Sequence, residues 1–243
     1  MFESRLNQDK LDNELTNAVL KQDTNKIKTL LEEELKPNIN IEISGVPMIL
    51  FVAQKSNWEL VEIFYDEGAN LDVELAYLNW FLIHECIKNA PFNVTNAIIE
   101  YANVNVQTKK GKTPLMIALE EKKHQYIDLL LEKGSDLSLK DSNWNNIAHY
   151  AAQMKNYELF LKFAEAGAPL NHTNKEGKTP IECIEDVSFR ENLPQMLKQF
   201  DMKSAKKEKV LDNLQMDNFH DLSNEQSKEE GKKVQGLSKI GRK

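Results

Sequence analysis

The chain has 243 residues, of which 41% are hydrophobic and 28% are charged, and its formal net charge is −7. This length suffices for one elongated domain and a tail. The negative charge disfavours nonspecific attraction to nucleic acid or anionic membranes. The first ten residues are polar and lack the apolar core of a signal peptide, and no apolar run is long enough for a membrane helix. We therefore expect a soluble protein of the cytoplasm, or one translocated into a host cell without an N-terminal signal peptide.

Apolar stripes of helical period recur from the N-terminus to about residue 200, and turn positions between them repeat with a 33-residue period. The first set of positions, each after a helical stripe, is Leu35, Gly68, Tyr101, Gly134 and Gly167. A second set opens the following helix and comprises Gly45, Leu78, Gly111, Trp144 and Gly177. The period predicts six helix-turn-helix units, at about 8–38, 39–71, 72–104, 105–137, 138–170 and 171–200.

The third of these units departs from the pattern. Its first helix, near Ile83–Cys86, sits one residue late, and the segment Asn89–Phe92 replaces the usual turn between the helices. We expect a distorted helix pair there. The first and last units are degenerate, which is typical of capping repeats that expose one face to water.

The clearest unit carries Thr113-Pro114-Leu115, then Ala118, then a leucine-rich helix that ends at Gly134. This pattern resembles the ankyrin-repeat consensus. Thr113 suits an N-cap and Pro114 the first helical turn, where no amide donor is needed. The resemblance covers most of the chain. It implies an all-α ankyrin-repeat solenoid over residues 1–200, built of about six helix-turn-helix units with short β-turn fingers.

Residues 201–243 form a charged C-terminal tail that we predict to be largely disordered. A stretch from Val210 to Leu222 has enough apolar residues for a short helix that could dock on the last repeat or fold on a partner. A solubilising tail is the simpler alternative. A third is a targeting segment, because Glu225, Glu229 and Glu230 resemble the glutamate-rich C-terminal signals of bacterial type IV secretion substrates.

Two Gly-Lys-Thr segments, at 111–113 and 177–179, look like the end of a phosphate-binding loop. That motif needs a glycine five residues before the Gly-Lys pair, and Val106 and His172 stand there instead. Proline also follows each segment and removes an amide donor. We interpret both segments as turns of the repeat.

The histidines and cysteines do not form a reactive or metal-binding pattern. No two histidines have the i, i+4 spacing, and the two cysteines, Cys86 and Cys183, are far apart, which is typical of a reducing compartment. His84 and Cys86 lie two apart on a predicted helix and so point in different directions. His149 falls where ankyrin units often hold a histidine that bonds turn backbone between neighbours, and His124 falls in a packing position. We expect no enzyme, no metal and no cofactor.

By the resemblance, a partner protein would bind along the concave side, at the fingertip turns and the exposed face of the first helices. Trp144 stands where the family usually has glycine, and exposed aromatic residues are enriched at binding hot spots. The alternative is that Trp144 folds back on its own repeat. The predicted partner-binding residues are Tyr77, Trp80, Lys109, Lys110, Trp144 and Tyr150.

Three functions stay open at this stage. The first is a non-catalytic scaffold, such as a secreted bacterial effector that acts on a host protein, and exposed concave aromatics would favour it. The second is an inhibitor or immunity-type protein that blocks one cognate enzyme, and a strongly acidic concave face would favour it. The third is an enzyme with a site in the third unit or the tail, marked by a deep pocket near His84 and Cys86. We expect a monomer that binds another protein, with no nucleic acid and no membrane insertion.

Overall fold

The computed structural model describes residues 2–198, with side chains from residue 5 onward. Helices arranged in successive pairs make up most of the described chain, and short two-residue strands form two of the turns between pairs. In chain order the elements are α1 (Phe2–Leu20), α2 (Thr24–Glu32), β1 (Glu42–Ile43), β2 (Val46–Pro47), α3 (Met48–Gln54), α4 (Trp58–Asp66), β3 (Glu74–Leu75), β4 (Trp80–Phe81), α5 (Leu82–Asn89), α6 (Phe92–Tyr101), α7 (Pro114–Glu120), α8 (Ile127–Glu132), α9 (Ile147–Gln153) and α10 (Tyr157–Glu165). A 3-10 turn, His124–Tyr126, leads into α8.

Local sequence explains where these helices start. Asp23, Asn57 and Asn156 each precede a second helix, and each side chain accepts a hydrogen bond from a backbone amide of the first turn. Thr113 does the same for the first helix α7, in which Pro114 takes the first position. The mainly helical architecture predicted from the 33-residue period is confirmed.

Neighbouring pairs stack on one another. The first helices α3, α5, α7 and α9 contact each other in sequence, and α4, α6 and α8 form a second row. The inner side of each second helix carries an apolar residue that is at most 1% exposed: Leu60, Ile98, Leu130 and Phe160. Burial of one such side chain stabilises the fold by about 1.5–3 kcal/mol. Because one pair cannot bury both of its faces, the core runs continuously along the stack.

The third pair is irregular in its turns, and its helices are intact. Helix α5 begins at Leu82, one residue later than the 33-residue register of α3 and α7, as predicted. Its link to α6 is the extended dipeptide Ala90-Pro91, whereas equivalent links contain a left-handed residue at Ser56, Lys122 and Lys155. The prediction of a distorted helix pair is therefore wrong for the helices, which are both continuous. The irregularity lies in the link between them, which the proline changes.

A ladder of polar side chains ties the start of each of three repeat units to its end. In each rung a side-chain oxygen near the start of the unit accepts the backbone amide of a residue 30 or 31 positions later in the same unit, over 2.7–2.8 Å. The rungs run from Asn70 to Asn40, from Asn103 to Asp72 and from Asp136 to Asn105. Position 169, the next in this register, is Pro169, which has no amide hydrogen to donate. The sequence pattern alone did not predict this ladder.

The C-terminal part of the described chain forms its own compact unit from residue 186, with a helix over 187–198. Before it, the sixth predicted unit has a single helical turn, in which the amide of Cys183 bonds the carbonyl of Thr179 over 3.1 Å. The tail 201–243, with its predicted helix at 210–222, lies outside the described residues. Within residues 2–198, no helix has the length and apolar character needed to cross a membrane.

Candidate functional site

Four successive turns project from the starts of the first helices and are tied edge to edge by backbone hydrogen bonds. We call the turns at 75–80, 108–111, 141–144 and 174–177 the fingertip strip. The amide of Lys109 bonds the carbonyl of Leu78 over 2.8 Å, and that of Ser142 bonds Lys110 over 2.8 Å. The amide of Lys175 bonds Asn143 over 2.9 Å. These bonds fix the spacing of the turns, so side chains on them are held in one row.

A polar side chain organises each of the last three turns from within. Thr108, Asp141 and Asn174 recur at the period of the repeat, and all are at most 9% exposed. The side chain of each accepts the backbone amide of the residue four positions later, over 2.8–3.1 Å. Buried acceptors that close a turn in this way hold its backbone in one conformation.

The turns also pack tightly on one another. Gly111 has a φ of 74°, and a Cβ placed there would lie 2.9 Å from the Cα of Asp141 and 2.9 Å from the carbonyl oxygen of Lys140. Only glycine fits this approach without displacing the neighbouring turn. The turns at 108–111 and 141–144 therefore form a single packed surface.

Trp144 occupies the position of Gly111 in the next turn. Its φ is 64° and its side chain is 56% exposed. A left-handed backbone costs an L-residue roughly 1–2 kcal/mol, and more than half of the Trp144 surface stays exposed, which limits the burial that could offset that cost. Glycine would adopt this left-handed backbone conformation without strain. Trp144 adopts it with a strained backbone and an exposed side chain.

The turn at 75–80 carries the other exposed aromatic residue of the fingertip strip. Tyr77 is 68% exposed and Leu78 is 43% exposed, at the tip of a loop between β3 and β4. Trp80, at the base of that loop, is only partly exposed. Its indole N–H donates to the Glu85 carboxylate over 2.8 Å, and its ring lies 5.3 Å from that of His84. Trp80 is thus held in place by its contacts with Glu85 and His84, whereas most of the Tyr77 side chain is exposed.

The expectation that Tyr150 offers an exposed aromatic surface is wrong. The side chain is 7% exposed, and its hydroxyl donates to the Asp141 carboxylate over 3.0 Å. Burial, with the nearby Asp141 charge, raises the pKa of the Tyr150 hydroxyl above its ordinary value. Tyr150 therefore supports the turn that presents Trp144. Its register with the buried Ile117, one repeat earlier in the chain, is the sequence signal that would have revealed this.

A groove of about 420 Å³ lies beside the turns at 75–80 and 108–111. Its lining residues are Leu78, Trp80, Lys88, Thr108, Lys109, Lys110, Lys112, Ile117, Glu120 and Glu121. Two of the lysines are paired, since Lys112 contacts Glu120 at 2.6 Å and Lys88 contacts Glu121 at 3.5 Å. We call this the lysine groove.

A second groove, of about 560 Å³, lies beside the turns at 141–144 and 174–177. Amide and charged side chains line it: Asn143, Asn145, Gln153, Asn174, Lys175, Glu176, Lys178, Glu182, Cys183 and Glu185. Cys183 is half-buried, and burial raises the pKa of its thiol. The two grooves differ in chemistry, because the lysine groove has an apolar wall, whereas every residue that lines the second groove except Cys183 has an amide or a charged side chain.

Comparison with known proteins agrees with this geometry. The family described as ankyrin repeats (3 copies) matches residues 49–141 and 83–174 of the chain. The chain is an ankyrin-repeat protein. An ankyrin repeat protein of fowlpox virus is 31% identical over 113 residues, which are 44% of this chain and 18% of that protein. The nuclear factor NF-kappa-B p105 subunit of Rattus norvegicus is 30% identical over 119 residues, 48% of this chain and 12% of that protein.

A third relative is the E3 ubiquitin-protein ligase KEG of Arabidopsis thaliana, 28% identical over 167 residues, 63% of this chain and 10% of that protein. The matched segments thus span less than a fifth of the length of each of these relatives. Ankyrin repeats are in general non-catalytic interaction domains, and their presence implies a role in protein–protein interaction for this array.

His149 joins neighbouring units, as predicted, whereas the prediction that His124 fills a packing position is wrong because its side chain is exposed. The Nδ1 of His149 accepts the amide of Asn146 over 3.2 Å, and its Nε2 donates to the carbonyl of Lys178, in the next unit, over 3.1 Å. His84 likewise accepts the amide of Phe81 over 3.1 Å. Burial lowers the pKa of both imidazoles, to about 4 for His84. Both are therefore neutral near pH 7.

The pair His84 and Cys86 does not have the properties of an activated nucleophile. Both side chains are fully buried, and neither lines the two grooves described above. Burial raises the pKa of the Cys86 thiol far above its ordinary value, so the reactive thiolate is suppressed. Within residues 5–198, no three His, Cys, Asp or Glu side chains gather in a way that could hold a metal ion.

Proposed function

We propose that this ankyrin array is a non-catalytic scaffold that binds a partner protein through the fingertip strip, with Tyr77 and Trp144 as its anchors. The observation that carries the proposal is Trp144, a strained residue with an exposed indole in the position of a glycine. Strained residues persist where the surrounding structure fixes them and tend to cluster at functional sites. Exposed tryptophan and tyrosine are among the residue types most enriched at binding hot spots.

The fixed geometry of the strip supports the same role. Backbone bonds between turns and buried acceptors within them leave little freedom to the fingertips. Binding costs less when the contacting groups are already ordered. A partner that contacts Tyr77 and Trp144 together would also meet Lys109 and Lys110, which lie on the turn between them.

Two versions of this scaffold role differ in the partner. An effector would bind a host protein without destroying it, and an inhibitor would block one cognate enzyme. The acidic concave face expected of an inhibitor aimed at a basic enzyme is absent from the lysine groove. We therefore place the effector or adaptor version first, and the identity of the captured protein separates the two.

The test is capture of a partner by the immobilised full chain, followed by titration of the purified partner with variants. Tyr77→Ala and Trp144→Ala are expected to weaken binding by about 30-fold each, which corresponds to about 2 kcal/mol. Tyr101→Ala is the matched control, because Tyr101 is 69% exposed but lies at the end of a second helix. Equal affinity for all three variants and the wild type would contradict the proposal.

A further inference from the structure

Two of the four lysines in the lysine groove have no ion-pair partner in the described part of the chain. Each of the two glutamates in the groove is held by a lysine, Glu120 by Lys112 and Glu121 by Lys88. Lys109 and Lys110 are exposed and make no ion pair within residues 5–198. This local charge stands on a chain whose net charge is −7. The groove is therefore opposite in sign to the protein as a whole.

Apolar side chains line the same groove beside those lysines. Leu78, at 43% exposure, and the indole of Trp80 form one side, and Ile117 contributes from α7. The backbone bond from Lys109 to Leu78 holds the charged turn against the apolar one. The volume of about 420 Å³ is in the usual range for pockets that enclose a ligand group.

We propose that the lysine groove binds an acidic, extended segment of the partner protein. One large apolar side chain of the segment packs on Leu78 and Trp80, and flanking carboxylates pair with Lys109 and Lys110. This proposal rests on the proposed function and specifies the chemistry of the partner at one part of the strip.

A nucleic acid fits the groove less well than an acidic peptide. Its phosphates are closely and regularly spaced, so some would face the carboxylates of Glu120 and Glu121 at the rim. A peptide can place its charges on Lys109 and Lys110 alone and offer an aliphatic or aromatic group to the wall. The paired arrangement of lysine and apolar wall thus favours a peptide.

The experiment selects peptides of about twelve residues from a randomised phage-display library on the immobilised full chain. We expect the selected sequences to be enriched in Asp and Glu around one Leu, Phe, Trp or Met. Fluorescein-labelled versions of the selected peptides are then titrated by anisotropy. A labelled single-stranded oligonucleotide of similar length serves as the competing polyanion.

The double variant Lys109→Gln/Lys110→Gln is expected to weaken peptide binding about tenfold, because two exposed ion pairs are lost. The wild-type affinity should also fall as NaCl rises from about 0.05 M to about 0.5 M. The matched control is Lys122→Gln/Lys123→Gln, a lysine pair in the turn between α7 and α8, which should change affinity less than about twofold.

Three results would overturn the proposal. They are selection of peptides without acidic enrichment, an equal loss in both double variants, and tighter binding of the oligonucleotide than of the peptides. Titration of Tyr77→Ala and Trp144→Ala with the captured partner separates this failure from that of the proposed function. If those variants lose the partner while the Lys109/Lys110 variant keeps it, the fingertip scaffold stands and the acidic segment is wrong.

Discussion

Replacement of Trp144 by glycine or by alanine should give two variants that differ in stability but lose the same affinity for the partner. Replacement by glycine removes the cost of a left-handed L-residue, about 1–2 kcal/mol, but adds flexibility to the unfolded chain worth about 0.4–1 kcal/mol. Replacement by alanine keeps the backbone strain. Both variants lose the same indole contacts, which therefore cancel. With the φ of 64° at this position, Trp144→Gly should be more stable than Trp144→Ala by about 1 kcal/mol.

Urea unfolding followed by far-UV circular dichroism measures the stability difference, and titration of the captured partner measures binding. Both variants should lose about 30-fold in affinity, because each lacks the indole. Equal stability of the two variants would refute the left-handed strain at residue 144. Wild-type affinity in Trp144→Gly would refute the role of the indole in binding.

Three further perturbations test the stack. Gly111→Ala should destabilise the fold by about 1–3 kcal/mol more than Gly177→Ala in urea unfolding, because a Cβ meets neighbouring backbone at 2.9 Å only at residue 111; equal losses would contradict this. Asn105→Ala should cost about 1 kcal/mol by removing one rung of the ladder, and an unchanged midpoint would show that the rung is idle. The pKa of His84 is lowered from 6.5 to about 4, so between pH 7 and pH 5 this imidazole is protonated mainly in the unfolded chain. His84 should therefore lower the free energy of unfolding by about 2 kcal/mol as the pH falls over that range. The variant His84→Gln should lose this pH dependence, and the control His124→Gln, at an exposed histidine, should retain it.

The helix pairs could be predicted from sequence because their signals are local. Pro114 at a helix start and Thr113 as its cap act within one turn of the chain. The resemblance to ankyrin repeats also implied that His149 bonds turn backbone between neighbouring units, and the structure confirms that bond. Local signals and periodicity therefore predict the helices, whereas this contact between units was predicted from the resemblance.

The features that sequence reasoning missed depend on contacts between residues that are far apart in the sequence or lie in different elements. Asn40, Asp72 and Asn105 recur at nearly constant spacing, but their partners are backbone amides 30 or 31 residues later in the chain. The sequence pattern predicts a partner-facing Tyr150 because helix periodicity alone does not say which side of a short helix meets the neighbouring turn. Its bond to Asp141 spans two elements, a turn and a helix.

The lysine groove shows the same limit. The cluster of lysines near residue 110 is visible in the sequence, but its net charge depends on which lysines are paired. Lys88 and Glu121 belong to different units and meet only because those units stack. That pairing leaves Lys109 and Lys110 as the uncompensated charges of the groove.

Amide hydrogen exchange of the full chain, with and without its captured partner, shows directly whether the fingertip strip is the binding surface. We expect slower exchange on binding in the strip, at 75–80, 108–111 and 141–144, with little change in the second helices α4, α6 and α10. Protection confined to those second helices, with the fingertips unchanged, would contradict it.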